Sequence, residues 1–495
     1  VPALLLLAAL AAAPAAEGFY RDLFMDGGTG LTHRVRLYAA DSLGLDYEYL
    51  ARDDSALMRH VMVANPDDAN GSLLYPDGAP RFRVIYTNGG DAGRHGRALG
   101  PDGRRRIRDF HAGGGSYSGS CAGAYLASLS NQDSGTVEVF YHIWPGRVRD
   151  TGLRGVTVGN TIPADSPLLD YHDFGGDRYI DSLYVNGGPW ANETIDWPAG
   201  TAVLSRYDTL GHACHDRPAT WSRKAADTTG RIVLLGTHPE GWPFGERLQL
   251  MKACLAYALA GVARPRPKAA LANRVTRAMD QPTGGDPLRA RIGDRQYHHF
   301  TLDLDPGATG LAVAVAGDDS FRFNLYLDPD SLAFASSARW RDTTPGARKN
   351  ITVPFPVPGR WHVGVELATT VTTYGDSCFL YAGPVRVLDG IAYDITAGWD
   401  TSAAVAGPAV AGGYFRVAPV IFRDECRIDL AAGARVAVYS AAGRLIASDR
   451  RPAGMLARTA AGRLFRPGAA LPAGVYLLRI TTEDRETTAR VILAR

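Results

Sequence analysis

Lysine is nearly missing from this chain: Lys224, Lys252, Lys268 and Lys349 are the only four among 53 Lys+Arg. The basic residues meet 51 Asp+Glu, so the formal charge is only +2. A chain with no excess of either sign has no overall field to draw in nucleic acid, and no nucleic-acid partner is expected. Cysteine is scarce too, with five residues at 121, 214, 254, 378 and 426. None is spaced as CxxC, which removes zinc-ribbon and thioredoxin-like sites, and no metal or cofactor is expected. No G-x-x-x-x-G-K-[ST] loop is present and no period repeats along the chain. After residue 16 no long apolar run follows, so no integral membrane span is expected. What is abundant is glycine, 56, and proline, 30, which imply many turns and hence much β structure.

The apolar run Val1–Ala16, VPALLLLAALAAAPAA, is short for a membrane span. It reads as the core of a secretory signal ending in the small-residue pattern Ala13-Pro14-Ala15, with its own start upstream of Val1. The expected location is therefore secreted or cell-surface. In an exported protein an odd number of cysteines leaves at least one thiol unpaired. Pairing among Cys214, Cys254, Cys378 and Cys426 stays open.

From 17 to 262 short apolar runs alternate with helix-like stretches. Arg34–Ala40, Phe82–Tyr86 and Arg231–Gly236 read as strands, Gly123–Leu129 and Glu246–Leu259 as helices. Such alternation predicts an α/β domain with a mainly parallel sheet. Residues 263–287, rich in Pro and Gly, read as a linker. From 288 to 398 strand-like runs between Pro, Gly and Asp turns predict a β-sandwich. A second linker, 399–413, precedes another all-β unit at 414–495.

The chemistry concentrates at Gly119-Ser120-Cys121-Ala122-Gly123. Glycines flanking a nucleophile let a strand turn abruptly into a helix and hold the middle side chain at the strand's tip. Free N–H groups at the start of that helix favour thiolate, and the Ala122 N–H points where an oxyanion would form. Upstream, Gly89 and Gly90 form a bare turn after the strand Phe82–Tyr86. Downstream, Thr237-His238-Pro239-Glu240-Gly241 follows another strand and can supply a base and its orienting carboxylate. In an open α/β sheet such strand ends converge on one crevice.

GSCAG, the NGG before it and the HPEG after it resemble class I glutamine amidotransferase-like domains, and most of all the biotin-protein ligase N-terminal type. The resemblance covers roughly Arg34 to Ala260 and implies a flavodoxin-like fold. It also implies Cys121 as nucleophile, His238 as general base, Glu240 as its orienting partner, and Gly89, Gly90 and Ala122 at the oxyanion and substrate site. A thiol amidase or hydrolase acting on C–N bonds of a small amide or peptide-like substrate follows. The alternative is a non-catalytic surface protein that uses the same fold to bind a ligand.

Residues 288–366 resemble pre-peptidase C-terminal sandwiches. The last unit, through VAVYSAAGRLI, LPAGVYLLRI and RVILAR, resembles type IX secretion-sorting or Ig-like modules, which implies the export machinery as a partner. Asp303, Asp305, Asp328 and Asp330 read as turn residues, and Gly211–His215 as a loop without the second half of a metal site.

Overall fold

The computed structural model describes residues 17–63, 72–305, 308–354, 356–373 and 381–401 and most of 415–493. The apolar run expected as a signal lies outside the described residues, as does Cys378.

The first unit opens with β1 (Arg21–Asp26), α1 (Tyr38–Leu43), β2 (Tyr47–Leu50), α2 (Ser55–Val63), β3 (Phe82–Thr87), α3 (Ala92–Ala112), β4 (Ser116–Ser120) and α4 (Ala122–Ala127). It continues through β5 (Val148–Asp150), β6 (Val156–Thr161), β7 (Tyr179–Val185), β8 (Pro189–Ala191), β9 (Thr201–Asp208), β10 (Pro218–Lys224), β11 (Arg231–Leu235) and α5 (Gly245–Leu259). Nine strands form one sheet in the order β2-β1-β3-β4-β11-β10-β9-β6-β7, and β5 pairs with β8 beside it. The strands β2, β1, β3, β4 and β11 run parallel. From β11 outward, β10, β9, β6 and β7 pair antiparallel.

A mainly parallel sheet is thus realised in one half only. The parallel half needs helical crossovers and cover on both faces. Leu23, Met25, Val84 and Val233 pack under α1 and α5 through Ala39, Leu250, Met251 and Leu255. Phe24, Ile85, Tyr117 and Ile232 point the other way, toward Met58, Val61, Leu99 and Ala124 of α2, α3 and α4. The antiparallel half is joined by short turns and 3-10 segments and needs no such helices. Arg34–Ala40, expected as a strand, is instead a non-regular segment leading into α1, whose Ala39 and Ala40 are buried.

The residues expected as a first linker do more than connect. The strands β12 (Pro267–Ala270) and β13 (Val275–Met279) lie in 263–287 and become edges of the sandwich. The remaining strands are β14 (Tyr297–Leu304), β15 (Ala308–Gly317), β16 (Phe323–Asp328), β17 (Trp340–Asp342), β18 (Arg348–Val353) and β19 (Gly359–Leu367). The short pair β20 (Thr372–Thr373) and β21 (Tyr381–Ala382) precedes β22 (Tyr393–Thr401), which runs into the second expected linker. Sheet β12-β14-β19-β16-β17 faces sheet β13-β22-β15-β18 across Phe300, Leu302, Val313, Phe323, Trp361 and Ile395. The last unit pairs a four-stranded with a five-stranded sheet around Ile428, Val438, Phe465, Leu478 and Val491.

The sandwich is joined to the α/β unit by buried charge as well as by apolar contact. Arg81 donates Nε to Asp294 Oδ1 (3.1 Å) and Nη2 to Asp294 Oδ2 (3.0 Å), with each side chain 1% exposed. Its third bond goes to the Ser72 carbonyl (2.9 Å), and the Tyr20 ring lies 4.2 Å from the guanidinium. Nearby, Lys268 and Gln296 both donate to Asp77 Oδ2, at 2.5 and 2.8 Å.

Adjacent His298 and His299 point to opposite sides of β14, as strand geometry requires, yet both are buried. Burial, with the Lys268 charge adding to it, lowers the His298 pKa to about 3. Burial and then the neighbouring His362 do the same for His299, also to about 3. Each ring stays neutral in the fold but binds a proton in the unfolded chain below its ordinary value near 6.5. Their stabilisation is therefore complete above about pH 6.5 and is lost as pH falls toward 3, each ring contributing up to ~1.4 kcal/mol per pH unit. Urea midpoints should fall between pH 7 and pH 5, and fall less in a His298→Gln/His299→Leu variant. Equal slopes for the two proteins would refute this assignment.

Candidate active site

Three neighbouring parallel strands, β3, β4 and β11, deliver the chemistry-bearing residues at their carboxyl ends. The sheet stops at Ser120, and Cys121 follows with φ 47° and ψ −102°, a strained positive-φ conformation unusual for a residue with a side chain. The flanking glycines permit this turn. A Cβ on Gly119 would lie 2.8 Å from the Gly123 carbonyl carbon, and one on Gly123 would lie 2.4 Å from the Thr87 carbonyl oxygen. The Cys121 N–H donates to Leu235 O (2.8 Å), tying the elbow to the end of β11. Ala122 opens the six-residue α4, so its N–H needs no partner inside the helix.

After β11 the chain passes Gly236 and Thr237 to His238, whose N–H donates to Tyr184 O (2.9 Å). Its Nδ1 lies 2.8 Å from Glu240 Oε1. A carboxylate only accepts, so Nδ1 carries the proton and Nε2 is left toward the thiol. Burial acts to lower the His238 pKa, but the Glu240 charge and the hydrogen bonds to Cys121 and Glu240 outweigh it and raise it. Burial acts to raise the Glu240 pKa, and the charge and hydrogen bond of His238 reverse this and hold it low. The pair is thus biased toward imidazolium and carboxylate.

Gly89 lies against both partners: a Cβ there would stand 2.3 Å from His238 Cε1 and 3.4 Å from Cys121 Cβ. Gly90, with φ 144°, instead packs on the loop after β1, where a Cβ would meet Gly30 O at 2.5 Å. Beside it, an open recess of about 350 Å³ is lined by Gly30, Leu31, Thr32, His33, Arg34 and Gly90. The structure therefore brings Cys121, His238, Glu240, Gly89 and Ala122 together and sets Gly90 one step away.

Other residues at the site were not singled out by sequence. Asn186 O lies 4.0 Å from Cys121 Sγ, and the exposed Tyr184 ring stands 5.7 Å from the His238 ring. Arg154, paired with Asp150 at 2.6 Å, lies over Gly187 within electrostatic range of Cys121. Ser120 donates to Glu240 Oε1 (3.0 Å). Ser120 lies inside GSCAG, Tyr184 and Asn186 lie in the Gly-rich stretch 184–190, and Asp150 and Arg154 carry no such sequence signal.

The remaining candidates resolve into local contacts. Cys214 is buried against His212 Nδ1 (3.1 Å) and Thr209 Oγ1 (3.3 Å). Asp303 pairs with Arg360, and Asp328 accepts from the N–H groups of Asp330 and Ser331. Among the described residues no three His, Cys, Asp or Glu side chains are grouped to hold a metal, and no helix is long and apolar enough to cross a membrane.

A half-parallel α/β sheet with a cysteine elbow at its carboxyl edge is the class of structure this unit represents. Residues 81–254, from the start of β3 into α5, match the family described as biotin-protein ligase, N terminal. Among solved structures the chain is similar to a glutamine amidotransferase, with 18% identity over 36% of this chain and 80% of that one and a TM-score of 0.25. It is also similar to the pre-peptidase C-terminal domain of a collagenase from Bacillus anthracis, with 12% identity over 27% of this chain and 98% of that one and a TM-score of 0.17. A third similarity, to the BSP domain of a biofilm associated protein, has 11% identity over 38% of this chain and 45% of that one, with a TM-score of 0.13. No curated protein matches the chain.

Proposed function

We propose that the chain is a cysteine-dependent hydrolase that cleaves a C–N bond in a small amide or peptide-like substrate. The observation that carries this reading is Cys121 at a strained, positive-φ elbow beside His238, whose Nδ1 is held 2.8 Å from Glu240. In the proposed cycle the proton of the Cys121 thiol already rests on His238 Nε2, giving a thiolate–imidazolium pair, and the sulfur attacks the substrate carbonyl. The N–H groups of Gly89 and Ala122 stabilise the oxyanion. Collapse breaks the C–N bond as His238 gives its proton to the leaving amine, and a thioester remains on Cys121. Water, deprotonated by His238, then releases the acid and restores the thiol. The match of residues 81–254 to a family with an amidotransferase-like scaffold agrees with this reading. Water is the proposed acceptor of the acyl group, and the released amine is proposed to leave the site rather than pass to a coupled synthetase.

A screen of the purified protein against amide, ester and peptide pools tests the proposal. Turnover should vanish in Cys121→Ala and fall less in Glu240→Gln, which loosens the imidazole tautomer but keeps the base. A protein inert toward every pool, or a Cys121→Ala variant as active as the parent, would leave the ligand-binding alternative in its place. Export belongs to the same proposal, through the N-terminal apolar run and the unit 414–495. A full-length chain found wholly in the cytoplasm of an export-competent bacterium would remove that part and leave the chemistry.

A further inference from the structure

A line of buried hydroxyls runs from the sheet interior to the carboxylate of the candidate site. Tyr86 OH lies 2.9 Å from Ser120 Oγ, and Ser120 Oγ lies 3.0 Å from Glu240 Oε1. Tyr86 and Ser120 have no exposed surface, and Glu240 is 4% exposed. A serine hydroxyl has one proton, and a carboxylate can only accept. Ser120 must therefore donate to Glu240, and its lone pair must receive the Tyr86 proton. The direction of the whole chain is set by this count: Tyr86 to Ser120, Ser120 to Glu240 Oε1, with His238 Nδ1 donating to the same oxygen from the other side. Burial, and next the charge of Glu240, raise the Tyr86 pKa well above its usual value, so the phenol remains a donor.

We propose that Ser120 is a positioning residue of this site, holding Glu240 so that His238 keeps Nδ1–H on the carboxylate and Nε2 on Cys121, with Tyr86 orienting Ser120 from behind. The inference rests on the Cys121–His238–Glu240 reading and adds to it a fourth and a fifth member. Ser120 ends β4, every residue of which is buried, where an apolar side chain would serve packing without needing a partner. Because Glu240 is shielded from solvent, no water replaces the lost donor if Ser120 becomes alanine. The carboxylate then takes a proton more readily, and its support for the imidazolium fails at a higher pH.

The test reads the rate of Cys121 alkylation by iodoacetamide from pH 4 to 9, which needs no substrate. Ser120→Ala should move the acid limb of the profile up by about one pH unit, the size set by one hydrogen bond to a charged group. Tyr86→Phe should move it the same way but less. The double variant should match Ser120→Ala alone, because Tyr86 acts only through Ser120. Melting temperatures of all four proteins accompany the profiles, since a merely structural serine would lower the melting temperature and leave the acid limb in place. If Ser120→Ala fails to fold, the shift in Tyr86→Phe alone decides the matter. A selective wild-type Cys121 with unmoved variant profiles, or additive shifts in the double variant, overturns this inference and spares the hydrolase reading. A wild-type Cys121 that reacts no faster than the buried thiols overturns both.

Discussion

Mild iodoacetamide at neutral pH is expected to modify Cys121 at least about a hundredfold faster than Cys214, Cys254 or Cys426. The thiolate is the reactive form, and each pKa unit above the pH costs about a factor of ten in its population. Burial pushes the Cys426 pKa up to about 12 and raises that of Cys254 further. Burial also raises the Cys214 pKa, against a lowering hydrogen bond from Thr209. All three have no exposed surface. Cys121 retains 5% exposure and faces an imidazole that Glu240 biases toward its cationic form, the partner a thiolate requires. Peptide mass mapping of the folded protein, with Cys378 scored separately, reads the order of labelling. Four described cysteines reacting at one rate would remove Cys121 from the role of nucleophile.

The second large effect concerns stability. Asp294→Ala is expected to destabilise the α/β–sandwich pair by about 3–5 kcal/mol, because it leaves the buried Arg81 guanidinium without its bidentate partner. In units of this size that loss lowers the melting temperature on the order of 10 °C. Arg81→Met in the same background should recover much of it, since the uncompensated charge is then gone. A melting temperature within 2 °C of the parent for Asp294→Ala would show that solvent reaches Arg81 and that the pair does not carry the contact; the bound is roughly the shift of one ordinary surface substitution. Activity toward any substrate found in the screen should survive this change at low temperature, because Asp294 belongs to the sandwich contact and not to the cysteine elbow.

The amino-acid sequence by itself determined the elements of the site and much of its order along the chain. The glycines around Cys121 and the strand before His238 have steric and hydrogen-bonding consequences within a few residues, so they can be read locally. The same holds for α5, where the helix-like spacing of Leu248, Met251, Leu255 and Leu259 marks Glu246–Leu259 as a helix. Strand direction was not legible for β6, β7, β9 and β10, because alternating burial looks the same in a parallel and an antiparallel neighbour. Nor was the role of 263–287. Edge strands carry proline and charge to stay unpaired on one side, and Pro267, Lys268 and Arg277 give β12 and β13 the composition of a linker. Only the tertiary structure could place Ser120 and Tyr86 beneath Glu240, 120 residues from Ser120. A hydroxyl in a buried strand has no sequence signature of its partner, because the partner is chosen by which strand ends the sheet brings side by side.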